Sequence, residues 1–141
     1  MLGPLSFHSP WIHTMQRCAT LLFVAASLFA TAAQAQVARL FPPNTLRGEL
    51  VVEAPPEVRL NGKPARLAPG ARIRGTTNMF QLTGSLVGQK LVVHYTTDPT
   101  GMLRDVWVLN EAELAKRLWP RNEKELQTWV FDPATHTWAK P

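Results

Sequence analysis

Cysteine is almost absent from this sequence: its 141 residues contain one, Cys18. A single cysteine cannot close an intrachain disulfide, and it cannot supply the paired thiolates of a common structural zinc site. The folded part of the chain must therefore be stabilised by packing and hydrogen bonding, without a covalent or metal crosslink.

Catalytic side chains are scarce after Ala35, where the sequence holds one serine, Ser85, and two histidines, His94 and His136. Ser85 follows Gly84 directly, so the G-x-S-x-G pattern of a nucleophile elbow is not matched. Neither histidine has a second ligand at zinc-site spacing, and no glycine-rich phosphate loop occurs. The sequence therefore predicts no catalytic residue, no metal and no cofactor.

The N-terminal part of the sequence has the three-part layout of a secretory signal peptide. After Met15 come one basic residue, Arg17, an apolar run over residues 18–30, and an A-Q-A cleavage pattern ending at Ala35. The run covers about 15 residues, short of the ~20 that a membrane-spanning helix needs. We therefore predict translation from Met15, cleavage after Ala35 and export to the periplasm or beyond; residues 1–14 would be an upstream extension, and a retained anchor is the alternative.

Short alternating runs of apolar and polar residues predict β-strands after the prolines of an irregular arm, residues 36–45. Residues 46–54 form the first predicted strand, with Arg47 on its outer face. Residues 57–67 predict a hairpin, because Asn-Gly at its centre suits a type I′ turn. A second turn at residues 68–70 and short strands over 71–75 and 79–82 are expected to follow.

Residues 86–109 carry the clearest structural signal, two long strands joined by a polar turn at residues 98–101. The first of these strands is apolar on both faces, so we expect it to be central in the sheet. His94 lies on it, and we place Trp107 of the return strand inside the core. The only cluster that this hairpin offers for catalysis is His94 with Asp98 and Asp105, although a strand histidine among valines is more often simply packed.

The C-terminal region predicts a helix over residues 111–119, capped by Asn110 with Glu113 and ended by Pro120. The tail, residues 120–141, predicts a hairpin that brings Trp138 to an aromatic pair on the preceding strand. The fold class is therefore mainly β: a small OB-like or Src-homology-3-like barrel or sandwich over residues 46–119, with one short C-terminal helix.

Most of the excess positive charge lies in the N-terminal half of the exported part. Five basic residues fall close together there with no acidic residue between them: Arg59, Lys63, Arg66, Arg72 and Arg74. They are the candidate ligand-binding residues, because such a segment can face an anionic nucleic acid or glycan. The alternative is that these charges solvate the open face of a strand pair.

The order of signal peptide, LNGKPARLAPGARIRG, LVGQKLVVHY and LRDVWVLNEAEL resembles small exported β-rich proteins of Gram-negative proteobacteria to which no function is assigned. The resemblance spans residues 38 to 115 and implies location and fold, with no catalytic residue to carry over. Three functions stay open. The leading one is a non-catalytic periplasmic protein that binds or scaffolds another envelope component, protein or glycan, by its barrel surface or a strand edge. The others are binding of an anionic polymer through Arg59–Arg74, and a hydrolytic or metal-dependent enzyme centred on His94.

Overall fold

Five strands of the chain close into a β-barrel in the computed structural model, which describes residues 3–4 and 38–141. The predicted signal peptide and nearly all of the upstream extension lie outside these residues. The strands are β1 (Leu46–Ala54), β2 (Glu57–Leu60), β3 (Lys63–Arg74), β4 (Lys90–Thr97) and β5 (Leu103–Val108). They pair in the order β1-β2-β3-β5-β4 and back to β1. The prediction of a mainly β protein is confirmed.

The first three strands follow one another as antiparallel neighbours. β1 has the predicted bounds, and Pro55 and Pro56 form the turn to β2. Asn61 and Gly62 have φ angles of 52° and 77°, as a type I′ turn requires. The predicted Asn-Gly hairpin is therefore confirmed.

The predicted turn at residues 68–70 is wrong, because β3 continues through it from Lys63 to Arg74. Up to Arg66 β3 pairs with β2, and from Leu67 it pairs with β5 in parallel, with a register shift on the way. Gly70, at φ 75°, supplies the bend that a strand needs when it changes partner at the corner of a barrel. Proline and glycine at such a bend look like a turn in sequence.

The connection from β3 to β4 also differs from the prediction, since residues 79–82 form no strand. Phe80 makes a single bridge with Arg74, and a 3-10 helix follows over Thr83–Leu86. The β4–β5 hairpin is confirmed, and β4 lies between β1 and β5 as expected of a central strand. Trp107 was placed on the wrong face: Leu103 and Val106 join the barrel core, whereas Trp107 packs half-buried outside it.

The chain after β5 forms two short helices, α1 (Glu111–Ala115) and α2 (Glu123–Thr128), and the hairpin of β6 (Val130–Asp132) with β7 (Thr137–Ala139). The tail hairpin and the Asn110 capping box are confirmed. The prediction of one helix over residues 111–119 is wrong in number and in length. α1 ends after Ala115, and the Glu113 and Lys116 carbonyls near its end accept hydrogen bonds from the Arg47 side chain. None of the helices in the described part of the chain is long and apolar enough to cross a membrane.

Two groups of buried apolar side chains hold residues 39–141 together. The first fills the barrel and includes Leu50, Val52, Val93 and Val106, each 0 % exposed. The second lies on the outer side of the barrel wall and is mostly aromatic. It consists of Phe41, Leu109, Trp119 and Trp138, with Trp107, Trp129 and Phe131 partly buried against it.

Leu50→Ala tests the barrel core. Leu50 is fully buried, so its truncation removes apolar contacts and leaves a cavity, and we expect the free energy of unfolding to fall by about 2–5 kcal/mol. Leu82→Ala is the matched control, because Leu82 is 82 % exposed and should change that energy by less than about 0.5 kcal/mol. Chemical denaturation followed by circular dichroism measures both. Equal effects in the two variants would contradict the assigned core.

Candidate functional site

His94 lies at the centre of a buried polar and aromatic cluster. It is 1 % exposed, and its ring stacks on Trp119 at 4.2 Å between ring centroids, with the edge of Phe41 at 4.4 Å. Arg47 Nε donates a hydrogen bond of 3.1 Å to His94 Nε2. Nδ1 of the same ring is buried and has no partner among the residues that the structure describes.

The strand register explains why Arg47 and His94 meet. They are paired residues of the antiparallel strands β1 and β4, so their side chains lie together on the outer face of the barrel wall. The alternation of β1 correctly put Arg47 on that face, but this part of the face is covered, and Arg47 is 5 % exposed. The segment after α1 covers it, and Trp119 in that segment donates from Nε1 to Thr45 O. Strand periodicity cannot reveal a cover formed by a distant part of the chain.

Arg47 fastens this cover to the barrel. Its Nη1 donates to Lys116 O at 2.6 Å and its Nη2 to Glu113 O at 3.1 Å. Its backbone N–H donates to Pro120 O at 2.8 Å. One residue of β1 thus satisfies carbonyls at three points of the segment from Glu113 to Pro120, where no regular helix would satisfy them.

Arg39 makes a second fastening from the N-terminal arm. Its Nε donates to Glu113 Oε1 at 2.7 Å, and its Nη2 lies against the other carboxylate oxygen. The same guanidinium donates to Gly75 O and Val108 O, at the ends of β3 and β5. Glu113 also accepts from the Asn110 backbone in the capping box. The side chains of this pair are only 9 % and 11 % exposed, so it is largely protected from water.

The electrostatics of the cluster keep the His94 ring neutral. Burial, followed by the positive charges of Arg47 and Arg39, lowers its pKa from 6.5 to about 2. The ring is buried, stacked on Trp119 and bonded at Nε2 by Arg47, which is not the exposed, substrate-facing placement that a general acid or base needs. The arrangement fits a structural histidine.

The three residues of the suggested catalytic cluster bind different partners. Asp98 accepts from the N–H groups of Thr100 and Met102 in the exposed turn, and the hydroxyl of Thr100 lowers the pKa of Asp98. Asp105 accepts from Arg72 at 3.1 Å. None of the described hydrogen bonds links His94 to either aspartate. No group of three or more histidine, cysteine or acidic residues able to hold a metal occurs in the described part of the chain.

The basic segment lies on β2 and β3, and three of its exposed arginines are paired with carboxylates. Arg59 contacts Glu53 at 2.9 Å, Arg66 contacts Glu57 at 3.3 Å, and Arg72 contacts Asp105 at 3.1 Å. These carboxylates lie outside the basic stretch in the sequence, and they contact its arginines from neighbouring strands of the barrel. The register of the strands, which the sequence left open, brings them there.

Arg74 meets an aromatic ring instead, with its guanidinium carbon 4.9 Å from the Phe80 ring centroid. Phe80 belongs to a group of exposed apolar residues in the β3–β4 connection, which we call the apolar loop. Its exposed fractions are 67 % at Met79, 66 % at Phe80, 82 % at Leu82 and 48 % at Val87. Sequence reasoning missed this surface because it assigned residues 79–82 to a half-buried strand.

Comparison with models of known protein families, with curated proteins and with solved structures finds no match to this chain.

Glu113→Gln tests the ion pair between Arg39 and Glu113. The amide keeps the shape of Glu113 but removes the charge that balances Arg39, so we expect the free energy of unfolding to fall by an amount on the order of 3 kcal/mol. Glu123→Gln on exposed α2 is the matched control and should have little effect. Denaturant titration of both variants measures the difference. An unchanged midpoint for Glu113→Gln would show that the pair adds nothing to stability.

His94 should make the protein less stable in acid. Its pKa is about 2 in the folded chain and about 6.5 in the unfolded one, so the unfolded state binds the extra proton as the pH falls below 6.5. Between pH 7 and pH 5 this difference lowers the free energy of unfolding by about 2 kcal/mol. Denaturation at both pH values should show the loss in the natural sequence and a smaller loss in His94→Gln. Equal losses would mean that the folded ring takes up the proton.

Proposed function

We propose that this chain is a non-catalytic binding protein of the bacterial cell envelope, exported by a cleaved signal peptide and built on an OB-like barrel. A closed five-stranded barrel in which β1 pairs with both β2 and β4 supports the OB-like alternative over a two-sheet sandwich. The export is supported by the A-Q-A pattern and the short apolar run before it. The partner that we propose is another envelope protein.

The exposed apolar loop is the observation that carries this proposal. Isolated exposed apolar residues are common, but contiguous ones mark interaction sites. Met79, Phe80 and Leu82 are all more than half exposed within four residues. Every other aromatic residue between residues 38 and 141 is buried or half-buried, so a phenylalanine left exposed here supports a role outside the fold.

The charge beside the loop narrows the chemistry of the partner. Arg74 lies over Phe80, and cations packed on an exposed ring present apolar and positive surface together. We therefore expect an apolar recess with acidic residues at its rim on the partner. A barrel without free edges makes strand addition to its wall a less suitable mode of binding.

Binding of an anionic polymer is the second candidate. The outer-face arginines Arg59, Arg66 and Arg72 have side chains that are 49 %, 60 % and 53 % exposed. Exposed ion pairs of this kind contribute little, so phosphate or sulfate groups could take the place of the carboxylates. Such binding would weaken steeply as salt rises. The third candidate, an enzyme centred on His94, has the least support, because the ring is buried and neutral.

A site-specific crosslinking experiment in the periplasm tests the leading proposal. A photoreactive residue at Leu82 should capture one defined envelope protein, whereas the same residue at Val130, also exposed, should not. Phe80→Ser should abolish the capture at position 82 without changing the thermal unfolding curve. Arg74→Glu should weaken it by reversing the charge.

The outcomes separate the candidates. Capture that persists in Phe80→Ser, or that is equal at positions 82 and 130, would overturn the apolar loop as the docking surface. Salt-sensitive retention on heparin or single-stranded DNA, reduced by Arg66→Ala and unaffected by Phe80→Ser, would favour the polymer candidate.

A further inference from the structure

A pocket of about 350 Å³ lies between the chain that follows α1 and the β6–β7 hairpin. This volume is at the lower end of the range for small-molecule sites. The apolar loop contributes none of its lining, so the pocket is independent of the proposed docking surface. Its lining from the first segment is Ala115, Lys116, Arg117, Leu118 and Trp119, and from the hairpin His136, Thr137 and Trp138.

The lining is mostly apolar and partly aromatic. Trp119 and Trp138 are buried neighbours with ring centroids 6.2 Å apart at 69°, and both belong to the outer aromatic core. Leu118 also lines the pocket and is 49 % exposed, so an apolar side chain at this site faces water. A flat apolar group bound here would cover it and contact the indole rings.

Two nitrogens of the lining residues lack hydrogen-bond partners. Trp138 is 6 % exposed, and its Nε1 is buried with no acceptor among the residues that the structure describes. His136 Nδ1 is in the same condition, and His136 has a φ of 51°, in the left-handed region that few non-glycine residues adopt. An indole N–H is only ever a donor, and a buried unsatisfied donor is costly. Both nitrogens lie beneath the surface of the pocket, so a ligand in the pocket would contact the side chains of these residues and not these two atoms.

Two cations complete the site. Lys116 and Arg117 both line the pocket and are exposed. The Lys116 backbone carbonyl is held by Arg47, so the position from which its ammonium extends is fixed. The pocket thus combines apolar rings and positive charge, which are the groups that recognise an aromatic ring carrying a carboxylate.

We propose that this pocket binds a small aromatic carboxylate. The ring packs against Trp119, Trp138 and Leu118, and the exposed cations Lys116 and Arg117 bind the carboxylate. This inference does not depend on the proposed docking function, and either could fail without the other.

Titration of the full exported chain with 1-naphthoate tests the site. We expect saturable binding by calorimetry, together with a shift of the Trp138 indole N–H resonance in ¹⁵N-correlated spectra. The neutral analogue 1-naphthalenemethanol should bind at least about tenfold more weakly, because it carries no charge for Lys116 and Arg117.

Variants at exposed positions keep the test free of folding defects. Ala115→Leu fills the pocket and should weaken 1-naphthoate binding about tenfold or more, whereas Ala112→Leu on the same helix, outside the lining, should not. Lys116→Gln combined with Arg117→Gln should remove the preference for the carboxylate.

Three results would overturn the proposal: no saturation at millimolar 1-naphthoate, equal affinity of Ala115→Leu and Ala112→Leu, or a Trp138 indole resonance that does not move when the ligand binds.

Discussion

The buried guanidinium of Arg47 is the contact on which the outer half of this structure depends. A charge taken out of water is tolerated only when its donors are satisfied, and Arg47 donates to His94, Glu113 O and Lys116 O. The same bonds hold the segment after α1 against the barrel wall. That segment carries Trp119, whose ring stacks on His94 and covers Arg47 in turn. The same contacts therefore bury the charge of Arg47 and hold the segment after α1 against the barrel wall.

This arrangement explains how so small a barrel supports an additional aromatic core. The barrel interior is filled by aliphatic side chains and Tyr95, and the tryptophans pack elsewhere. They collect on the outer face of β4 and β5, between the wall and the N-terminal arm, where Phe41 contacts His94, Trp107 and Trp119. Arg39 holds the arm and α1 together through Glu113. The two surfaces that we propose for binding are the apolar loop in the β3–β4 connection and the pocket beside β7.

Local patterns predicted the parts of this fold that local chemistry decides. β1, the Asn61-Gly62 hairpin, the β4–β5 hairpin and the Asn110 cap each depend on alternation or on a short turn or cap signal, and all four are present. The errors come from tertiary contacts. Pro69-Gly70 is a bend because β3 changes its pairing strand there. Helix α1 is short, and the Arg47 side chain donates hydrogen bonds to the carbonyls near its end. The buried His94 cluster and the pocket join segments that lie far apart in the sequence, which no local period reports.

The distribution of basic residues shows most clearly that the sequence does not predict tertiary contacts. The excess of basic residues suggested a surface for an anionic polymer, but several arginines have internal uses. The side chains of Arg39 and Arg47 hold segments of the fold together through hydrogen bonds. Those of Arg59, Arg66 and Arg72 form ion pairs with carboxylates on the outside of the barrel. Net charge counts all of these equally, although a buried arginine contributes little to the field outside and a paired one contributes a dipole. The two binding surfaces proposed above instead place a cation beside apolar surface, Arg74 at the apolar loop and Lys116 with Arg117 at the pocket. At these two surfaces we expect recognition to depend on apolar contact first and on charge second.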